Sequence, residues 1–380
     1  MVNSNANALG IIFPNSYDGL VPELVGERLM ASIPFAGRYR MVDFILSSMV
    51  NCGIDNVSII VRKNYHSLMD HLGSGREWDL ARKNGGLNIV PPFAEKTVKV
   101  YNGRVEALAS IVDFLRDQKE KYVVMSDANT AVNFDFKAML NAHIASGADV
   151  TVAYKAEALP RSAVESNNIH QDLYYTLDIE DGRVKKLNIN EKTGDIQNFS
   201  LNIYIIDREM LIEQIRNAYV HGHIYYERDI LAPQIETLNV QAFEFTGYTA
   251  RICDMKGYFD ENMKLLDSAN LDALFSPNPI YTKIRDDNPT RYIEGANVKN
   301  IMAADGCVIE GQVENSILFR GVKVAKGAKV KNCVLMQDTV IEEGASVEYM
   351  ITDKDVTVTA GKEMKGTDTY PVYVAKYQVI

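Results

Sequence analysis

Two hydrophobic periods alternate along residues 1–245. Strands are predicted where short β-branched runs occur, at ALGIIF (8–13), NVSIIV (56–61), YVVM (122–125) and DVTVAYKA (149–156). Helices are predicted where apolar residues recur at helical spacing, at 41–54, 104–121 and 136–147. Strand, helix and strand in this order predict a mostly parallel sheet covered on both faces. Ligands of such sheets bind beyond the carboxyl ends of the strands.

The C-terminal part of the chain has a different pattern and no comparable helix. A short phrase repeats as IEGQV, AKGAKV, EEGASV and TAGKEM, with glycines at 311, 327, 344 and 361, spaced by 16, 17 and 17. Apolar residues recur six positions apart, as in Val324 and Val330. This spacing predicts a triangular parallel β-helix whose coils bury their faces by stacking. A β-sandwich is the alternative, but it needs two-residue hairpin turns, which the region lacks.

The segment SPNPIYTKIRDDNPTRY (276–292) separates the two patterns. It holds three prolines and charges of both signs, which predicts a linker. We therefore expect an α/β domain over residues 1–275 and a β-helix domain over residues 293–380. The length of 380 residues is consistent with two or three domains.

Charge and cysteine content exclude several classes of protein. The chain has 40 basic and 50 acidic residues, a net charge of −10, which disfavours a nucleic-acid binder. Its four cysteines, at 52, 253, 307 and 333, are too dispersed for a disulfide framework or a zinc knuckle. The N-terminus lacks the basic region of a signal peptide, and no apolar run is long enough to span a membrane. We expect a cytoplasmic protein.

Seven segments carry a resemblance to a known family. They are FAGRYRMVDFILSSMVNCGI (35–54), YHSLMDHLGSGREWDL (65–80), GGLNIVPPF (85–93), VVMSDANTAVNFDF (123–136), SLNIYIID (200–207), CDMKGYFDENMKLL (253–266) and SILFRGVKV (316–324). In sequence and in order they resemble the ADP-glucose pyrophosphorylase (glucose-1-phosphate adenylyltransferase) family. The resemblance implies a Rossmann-like, GT-A-like nucleotidyltransferase domain with a mixed α/β sheet, followed by a left-handed parallel β-helix of hexapeptide repeats. It also implies that family's reaction, in which glucose-1-phosphate attacks the α-phosphorus of ATP and pyrophosphate leaves.

The segment after the first strand departs from the family pattern. The family has a glycine-rich loop, G-G-x-G-x-R-L, followed by Lys-Pro. Here Pro14, Asn15 and Ser16 stand in the loop, and Met30 stands in place of the lysine. Residues 1–27 contain no Lys or Arg, although a triphosphate needs clustered N–H donors and cations. We assign no catalytic residue and predict little or no transferase activity for the isolated chain.

Other family positions are retained. The resemblance implies that Asp127 and Asp254, each at a strand end, hold Mg²⁺. The alternative is that Asp127 caps a turn and Asp254 caps the helix that follows it. Lys192 falls near the family lysine that grips the sugar phosphate, but Thr193 replaces the adjoining proline and the segment also fits a plain turn.

Two further sets of residues are candidates for binding. Ser200, Asn202 and Tyr204 alternate along SLNIYIID and would share one strand face, lining a sugar pocket or, alternatively, forming a half-exposed face. Arg38 and Arg40 fall where the resemblance implies an effector site for anionic sugar phosphates. A surface ion pair is the alternative for the two arginines.

The resemblance extends to the family's regulatory glycogen-biosynthesis subunits, which lack the phosphate loop. It implies a hetero-oligomer, expected to be a tetramer, in which this chain modulates the activity of a catalytic paralogue and its response to effectors. An active adenylyltransferase is the alternative, and a scaffold without a ligand is a third. An acyltransferase, common among hexapeptide β-helices, is disfavoured because no histidine lies beyond His223.

Overall fold

The structure is a computed structural model that describes residues 6–92, 101–160, 174–192 and 194–380. An α/β domain is followed by a β-helix of parallel strands. The strands of the α/β domain are β1 (Ala8–Phe13), β2 (Pro34–Phe35), β3 (Tyr39–Arg40), β4 (Asn56–Ile60), β5 (Gly86–Val90), β6 (Tyr122–Asp127), β7 (Thr130–Val132), β8 (Val150–Ala158), β9 (Tyr175–Glu180), β10 (Arg183–Ile189), β11 (Ile196–Asp207), β12 (Val240–Glu244) and β13 (Thr249–Arg251).

The helices all belong to the α/β domain. They are α1 (Pro22–Val25), α2 (Met41–Asn51), α3 (His66–Leu72), α4 (Arg104–Ala109), α5 (Val112–Arg116), α6 (Phe136–Ser146), α7 (Arg208–Val220), α8 (Ala232–Gln234), α9 (Met255–Lys264) and α10 (Ser268–Phe275). Single turns of 3₁₀ helix occur at Asp18–Leu20, Met30–Ser32 and Arg76–Trp78, and a π-helical turn at Glu227–Leu231. Among the described residues, no helix is both long and apolar enough to cross a membrane.

A nine-stranded mixed sheet forms the centre of the α/β domain, in the order β5-β4-β1-β6-β11-β8-β12-β10-β9. β5, β4, β1 and β6 pair in parallel, and β11 runs antiparallel to both β6 and β8. Alternate residues of β1 enter different cores: Leu9 and Ile11 pack with α4, α5 and α7, whereas Ile12 packs with α2, α3 and α6. The sheet is covered on both faces, as the hydrophobic pattern predicted.

The predicted strands are found within two residues of their expected ends, but the long helix predicted at 104–121 is wrong. It is broken into α4 and α5, because Ile111 leaves the helical region with φ −113° and ψ 11°. The Ser110 hydroxyl donates to the Ala107 carbonyl oxygen at 2.7 Å, a local bond that competes with helix continuation. Gly53, inside the predicted helix 41–54 but just beyond the end of α2, has φ +80°, a conformation that suits glycine and ends helices.

The β-helix begins with the last two residues of the proline-containing segment and contains only parallel pairs. Its strands are β14 (Arg291–Tyr292), β15 (Asn297–Ala303), β16 (Val308–Ile309), β17 (Gln312–Leu318), β18 (Lys323–Val324), β19 (Lys329–Lys331), β20 (Val334–Leu335), β21 (Val340–Ile341), β22 (Ser346–Glu348), β23 (Met350–Thr352), β24 (Thr357–Val358), β25 (Glu363–Lys365) and β26 (Val372–Val374). Val324 pairs with Ile341 and Ile341 with Val358, so one coil takes 341 − 324 = 17 residues. The repeat read from the glycines is therefore the coil length.

The two domains share a hydrophobic core. Tyr258 and Phe259 of α9 pack in one cluster with Phe319, Val334 and Ile351 of the β-helix. A separate apolar cluster fills the inside of the coils. The shared core fixes the β-helix against the α/β domain and leaves a cleft beside it, described below.

Candidate functional site

A crevice lies beyond the carboxyl ends of β1, β4 and β6, where ligands of such sheets bind. Its cavity volume is about 130 Å³. Its aromatic lining residues are Phe13, Tyr17, Tyr101, Tyr175 and Tyr225. Its charged lining residues are Arg62, Arg104, Asp127 and Glu227. We call this cavity the sheet-end crevice.

The loop segment after β1, residues 14–33, is held by its own acidic and amide side chains. Asp18 accepts hydrogen bonds from the Met30 amide at 2.7 Å and from the Asn15 side chain at 2.8 Å. The Asn15 side-chain oxygen accepts from the Arg62 amide at 2.8 Å, and the Pro14 carbonyl accepts from the Ala31 amide at 3.1 Å. The backbone N–H groups of Met30 and Ala31 are thus engaged by the loop segment itself.

Met30, at the position of the family lysine, is fully buried. Its side chain belongs to an apolar cluster with Val21, Leu24 and Phe35. Ser16 points into the crevice and donates to Asp127 Oδ1 at 2.6 Å. Of the loop segment, Asn15, Ser16 and Tyr17 line the crevice, whereas its one cation, Arg28, pairs with Asp353 instead.

Asp127 ends β6, as predicted, and is paired with an arginine that the sequence analysis did not single out. Arg104, the first residue of α4, donates from Nη2 to Asp127 Oδ1 at 2.7 Å and from Nη1 to Glu227. All three side chains are at least nine-tenths buried. Burial opposes the charge of Arg104, but Asp127 and Glu227 outweigh burial and raise the pKa of its guanidinium.

Asp254 caps a helix, which was the alternative interpretation of this residue. It is the N-cap of α9, and its carboxylate accepts from the Gly257 amide. Within the described residues, no group of three His, Cys, Asp or Glu side chains is placed to hold a metal ion. With Arg104 on Asp127 and Asp254 on a helix end, the side chains present do not fit a Mg²⁺ site.

Ser200, Asn202 and Tyr204 converge, but through a bulge rather than by simple alternation. The pairing of β11 with β8 shifts register between Ser200 and Tyr204, and Asn202 has φ +54°. Tyr204 Oη and Ser200 Oγ each lie 3.3 Å from Asn202 Oδ1, and the Asn202 side-chain Nδ2 donates to Tyr17 Oη. All three side chains are buried, so the half-exposed strand face is wrong. They form a polar layer behind Tyr17 rather than the crevice wall itself.

Lys192, unlike these three buried residues, is exposed to solvent. It lies on the turn between β10 and β11, next to Glu191, which pairs with Lys186 at 3.5 Å. Thr193, the residue in place of the family proline, lies outside the described residues. Lys192 is not among the residues lining the sheet-end crevice.

Arg38 and Arg40 line a second cavity, between the α/β domain and the β-helix. This interdomain cleft has a volume of about 340 Å³. Its cationic lining residues are Arg38, Arg40, Lys283, Arg285, Arg320 and Lys354. Asp70 is the acidic residue of the lining, and Gln337 and His71 add polar groups. The two arginines picked from the sequence thus belong to a set of six cations around one space.

The six cations of the interdomain cleft are partly neutralised: Asp70 pairs with Lys283, Asp287 with Arg285 and Arg320, and Asp305 with Arg38. Arg40 donates to the carbonyl oxygen and hydroxyl of Ser67 at 2.6 and 2.9 Å, and burial lowers its pKa to about 10. Burial, with the charges of Arg40 and Arg28, lowers the pKa of Lys354 to about 7. Arg38 reaches Asp305 only at 3.8 Å, which leaves it available to a ligand. Crowded cations of this kind favour a bound anion.

Sequence reasoning missed several residues of both cavities. Glu227 lies one turn after the histidines at 221 and 223, and nothing in its neighbourhood marks it as the partner of Arg104. Lys354, Arg320 and Lys283 lie in segments distant from Arg38 along the chain, and only the domain packing brings them together. The proline-containing segment, predicted to be a linker, supplies Lys283 and Arg285 to the cleft.

Comparisons with known proteins agree with this architecture. The nucleotidyl transferase family matches residues 27–167, and the GlmU-like C-terminal hexapeptide family matches residues 284–370. The chain is 38% identical over 332 residues to "Glycogen biosynthesis protein GlgD" of Geobacillus stearothermophilus, covering 86% of this chain and 83% of the relative. It is 35% identical to the protein of that name from Bacillus subtilis, over 86% of this chain and 83% of the relative. A "Glucose-1-phosphate adenylyltransferase" of Geobacillus stearothermophilus is 31% identical, over 79% and 76%.

The chain belongs to the ADP-glucose pyrophosphorylase family. The nucleotidyl transferase match begins at residue 27, so β1 and most of the loop segment lie outside the matched span. Within this ADP-glucose pyrophosphorylase fold, the place where a phosphate loop is expected holds Asp18, Asn15 and the buried Met30 instead.

Proposed function

We propose that this chain is a regulatory, catalytically weak or inactive subunit of an ADP-glucose pyrophosphorylase, acting with a catalytic paralogue in glycogen biosynthesis. The loop segment carries the proposal: it puts a buried methionine at the lysine position, and its Asp18 accepts from the Met30 backbone amide and from the Asn15 side chain. The names of the two GlgD relatives support a place in glycogen biosynthesis.

The physical case against efficient catalysis rests on charge. Moving a pyrophosphate group requires preorganised donors and cations at the leaving oxygens, and each missing donor costs on the order of 10²–10³ in rate. The crevice keeps Arg62 and Arg104, but Arg104 is paired with Asp127 and Glu227. Arg62, which donates to the Tyr101 carbonyl oxygen at 3.3 Å, is a weak substitute for a glycine-rich loop with a lysine.

The interdomain cleft supports a regulatory role. Six cations surround a space of about 340 Å³, large enough for a phosphorylated sugar, and they come from both domains and the segment between them. An anion bound there would favour the arrangement of the domains that brings these cations together. We propose an anionic sugar phosphate as the effector, with Arg38 and Arg40 among its contacts.

We further propose that the chain works within a hetero-oligomer, a tetramer, with the catalytic subunit. When one subunit regulates another, sites on the two subunits are linked by a coupling free energy, typically 1–3 kcal/mol. Such coupling requires contacts between the subunits. Closed symmetric assemblies are the commonest way to provide such contacts. The retained family fold would supply the same contact surfaces as the catalytic paralogue.

A direct assay separates this proposal from the alternative, an active glucose-1-phosphate adenylyltransferase. Purified chain is incubated with ATP, glucose-1-phosphate and Mg²⁺, and pyrophosphate release is followed. We expect a turnover far below 1 s⁻¹, and a value above about 1 s⁻¹, within the usual range of enzymes, would refute the inactive role.

The regulatory role needs a mixing experiment. The catalytic paralogue is assayed alone and with increasing amounts of this chain, with and without a hexose phosphate. We expect co-elution, together with a changed rate or effector response that saturates with subunit ratio. A chain carrying Arg40→Gln and Lys354→Gln should still co-elute but should lose the effector-dependent part. No co-elution and unchanged kinetics would contradict the proposal.

A further inference from the structure

Arg104 occupies the centre of the sheet-end crevice, against two carboxylates from distant parts of the chain. Its guanidinium contacts Asp127 at the end of β6 and Glu227 in the π-helical turn. Its side chain is 10% exposed, and those of Asp127 and Glu227 are 1% and 4% exposed. One guanidinium balances one of the two carboxylate charges, and burial raises the pKa of Glu227, which favours its neutral form.

Aromatic rings hold the guanidinium in place. Its carbon lies 4.7 Å from the ring centre of Phe13 and 5.7 Å from that of Tyr204, distances typical of cation–π contacts. Phe13 is the last residue of β1, so the strand that precedes the loop segment helps to fix the arginine. Gly103 allows α4 to begin here, because a Cβ on it would lie 2.4 Å from the Ile224 carbonyl oxygen.

The oxygens of Asp127 are consequently not free for a metal ion. Oδ1 accepts from both Arg104 and Ser16, and Oδ2 is buried with no hydrogen-bond partner among the described residues. A divalent ion at Oδ2 would lie beside a fixed positive charge. Mg²⁺ also needs several oxygen ligands in octahedral geometry, and Asp254 is engaged at the start of α9.

We propose that Arg104 is a built-in cation that takes the place of a divalent metal ion at Asp127, so that the sheet-end crevice excludes Mg²⁺. The guanidinium is a permanent positive charge between Asp127 and Glu227, and the crevice keeps its shape without a metal. This inference concerns the crevice of the chain by itself and does not depend on whether the chain regulates a partner.

Mn²⁺ binding to the full-length chain tests the inference without any activity assay. Electron paramagnetic resonance measures free Mn²⁺ during a titration. We expect no saturable binding by the natural protein up to the millimolar range, and no rise of its thermal midpoint with Mn²⁺. Saturable binding that is lost in Asp127→Asn would overturn the inference, and this outcome needs no arginine variant to fold.

Arginine variants give the converse result. Arg104→Gln leaves Asp127 and Glu227 uncompensated, so we expect it to melt at a lower temperature, to bind Mn²⁺ and to regain stability as Mn²⁺ is added. Arg104→Lys retains a positive charge and should bind little Mn²⁺. The matched control is Arg62→Gln, because Arg62 lines the same crevice but donates to the Tyr101 carbonyl oxygen at 3.3 Å. Equal Mn²⁺ affinity in Arg104→Gln, Arg62→Gln and the natural protein would also overturn the inference.

Discussion

Arg28 of the loop segment donates from Nη2 to Asp353 Oδ1 of the β-helix at 2.7 Å, and each side chain is 5% exposed. The Tyr373 hydroxyl lies 3.0 Å from the other oxygen, Asp353 Oδ2. The residue after Asp353 is Lys354, which lines the interdomain cleft. The loop segment is therefore tied to the β-helix beside the cleft.

Arg28→Ala should strongly destabilise the protein. Removing one partner of a buried ion pair leaves an unpaired charge and typically costs 3–5 kcal/mol. Urea unfolding, followed by the fluorescence of Trp78, measures the change. Lys376→Ala is the control, because Lys376 pairs with Glu27 at 3.4 Å near the surface and Glu27 is 65% exposed. We expect at most about 1 kcal/mol for the control. A similar decrease in the free energy of unfolding in the two variants would show that the buried ion pair stabilises the protein no more than the surface pair.

Lys354→Gln should weaken anion binding in the interdomain cleft. Loss of a hydrogen bond to a charged group costs about 1.5–3 kcal/mol, which is at least about tenfold in affinity. Calorimetric titration with a hexose phosphate measures the dissociation constant. Lys326→Gln is the matched control, because Lys326 is an exposed β-helix lysine that does not line the cleft. Unchanged affinity in Lys354→Gln would remove Lys354 from the site.

Anion binding should also depend on pH through Lys354. Its pKa of about 7 means that the free cleft loses this charge as pH rises above 7. A bound anion would raise the pKa, so binding at pH 8 should take up a proton, and affinity should fall between pH 7 and pH 9. Sulfate is the suitable probe, because its own charge is constant in this range. Calorimetry in buffers of different ionisation enthalpy measures the proton uptake, which Lys354→Gln should abolish.

The same pKa sets a stability profile in the absence of a ligand. The ordinary pKa of lysine is 10.5, so between pH 7 and 10.5 the unfolded chain holds a proton that the folded protein does not. Stability should therefore rise with pH across this window, and this contribution should be flat below pH 7. Unfolding midpoints measured across the window should rise less in Lys354→Gln than in the natural protein. An identical slope would mean that Lys354 titrates normally in the fold.

Local patterns in the sequence predicted most strands and the β-helix repeat, but they did not predict contacts between distant segments. The strand ALGIIF and the 17-residue coil repeat depend on neighbouring residues and on one periodicity, so both could be read directly. The helix at 104–121 failed because a single serine-to-carbonyl hydrogen bond and one non-helical residue interrupt it. No local signal marks either break.

The candidate site shows the same division. Met30 at the lysine position and the absence of Lys and Arg from residues 1–27 were read from the sequence, and the structure adds that Met30 is buried. The pairing of Arg104 with Asp127 and Glu227 joins residues 23 and 123 positions apart. Only the sheet order, which sets α4 beside β6 and the π-helical turn, brings them together. The ion pairs of Arg104 in the crevice therefore depend on the topology of the sheet, and a single sequence does not reveal that topology.

Gly103→Ala should destabilise the wall of the sheet-end crevice. A Cβ at this position would lie 2.4 Å from the Ile224 backbone oxygen and 2.5 Å from its side chain, so the backbone must shift. Overpacking of this kind costs about 1–3 kcal/mol, and here it would also displace Arg104, the next residue. Urea unfolding measures the cost.

Gly26→Ala is the control, because nothing lies within 4 Å of a Cβ there and its φ of −53° suits alanine. We expect that control to be neutral or to stabilise the protein by up to about 1 kcal/mol, since alanine reduces the entropy of the unfolded chain. Equal effects of the two substitutions would show that α4 can move away from Ile224 at little cost.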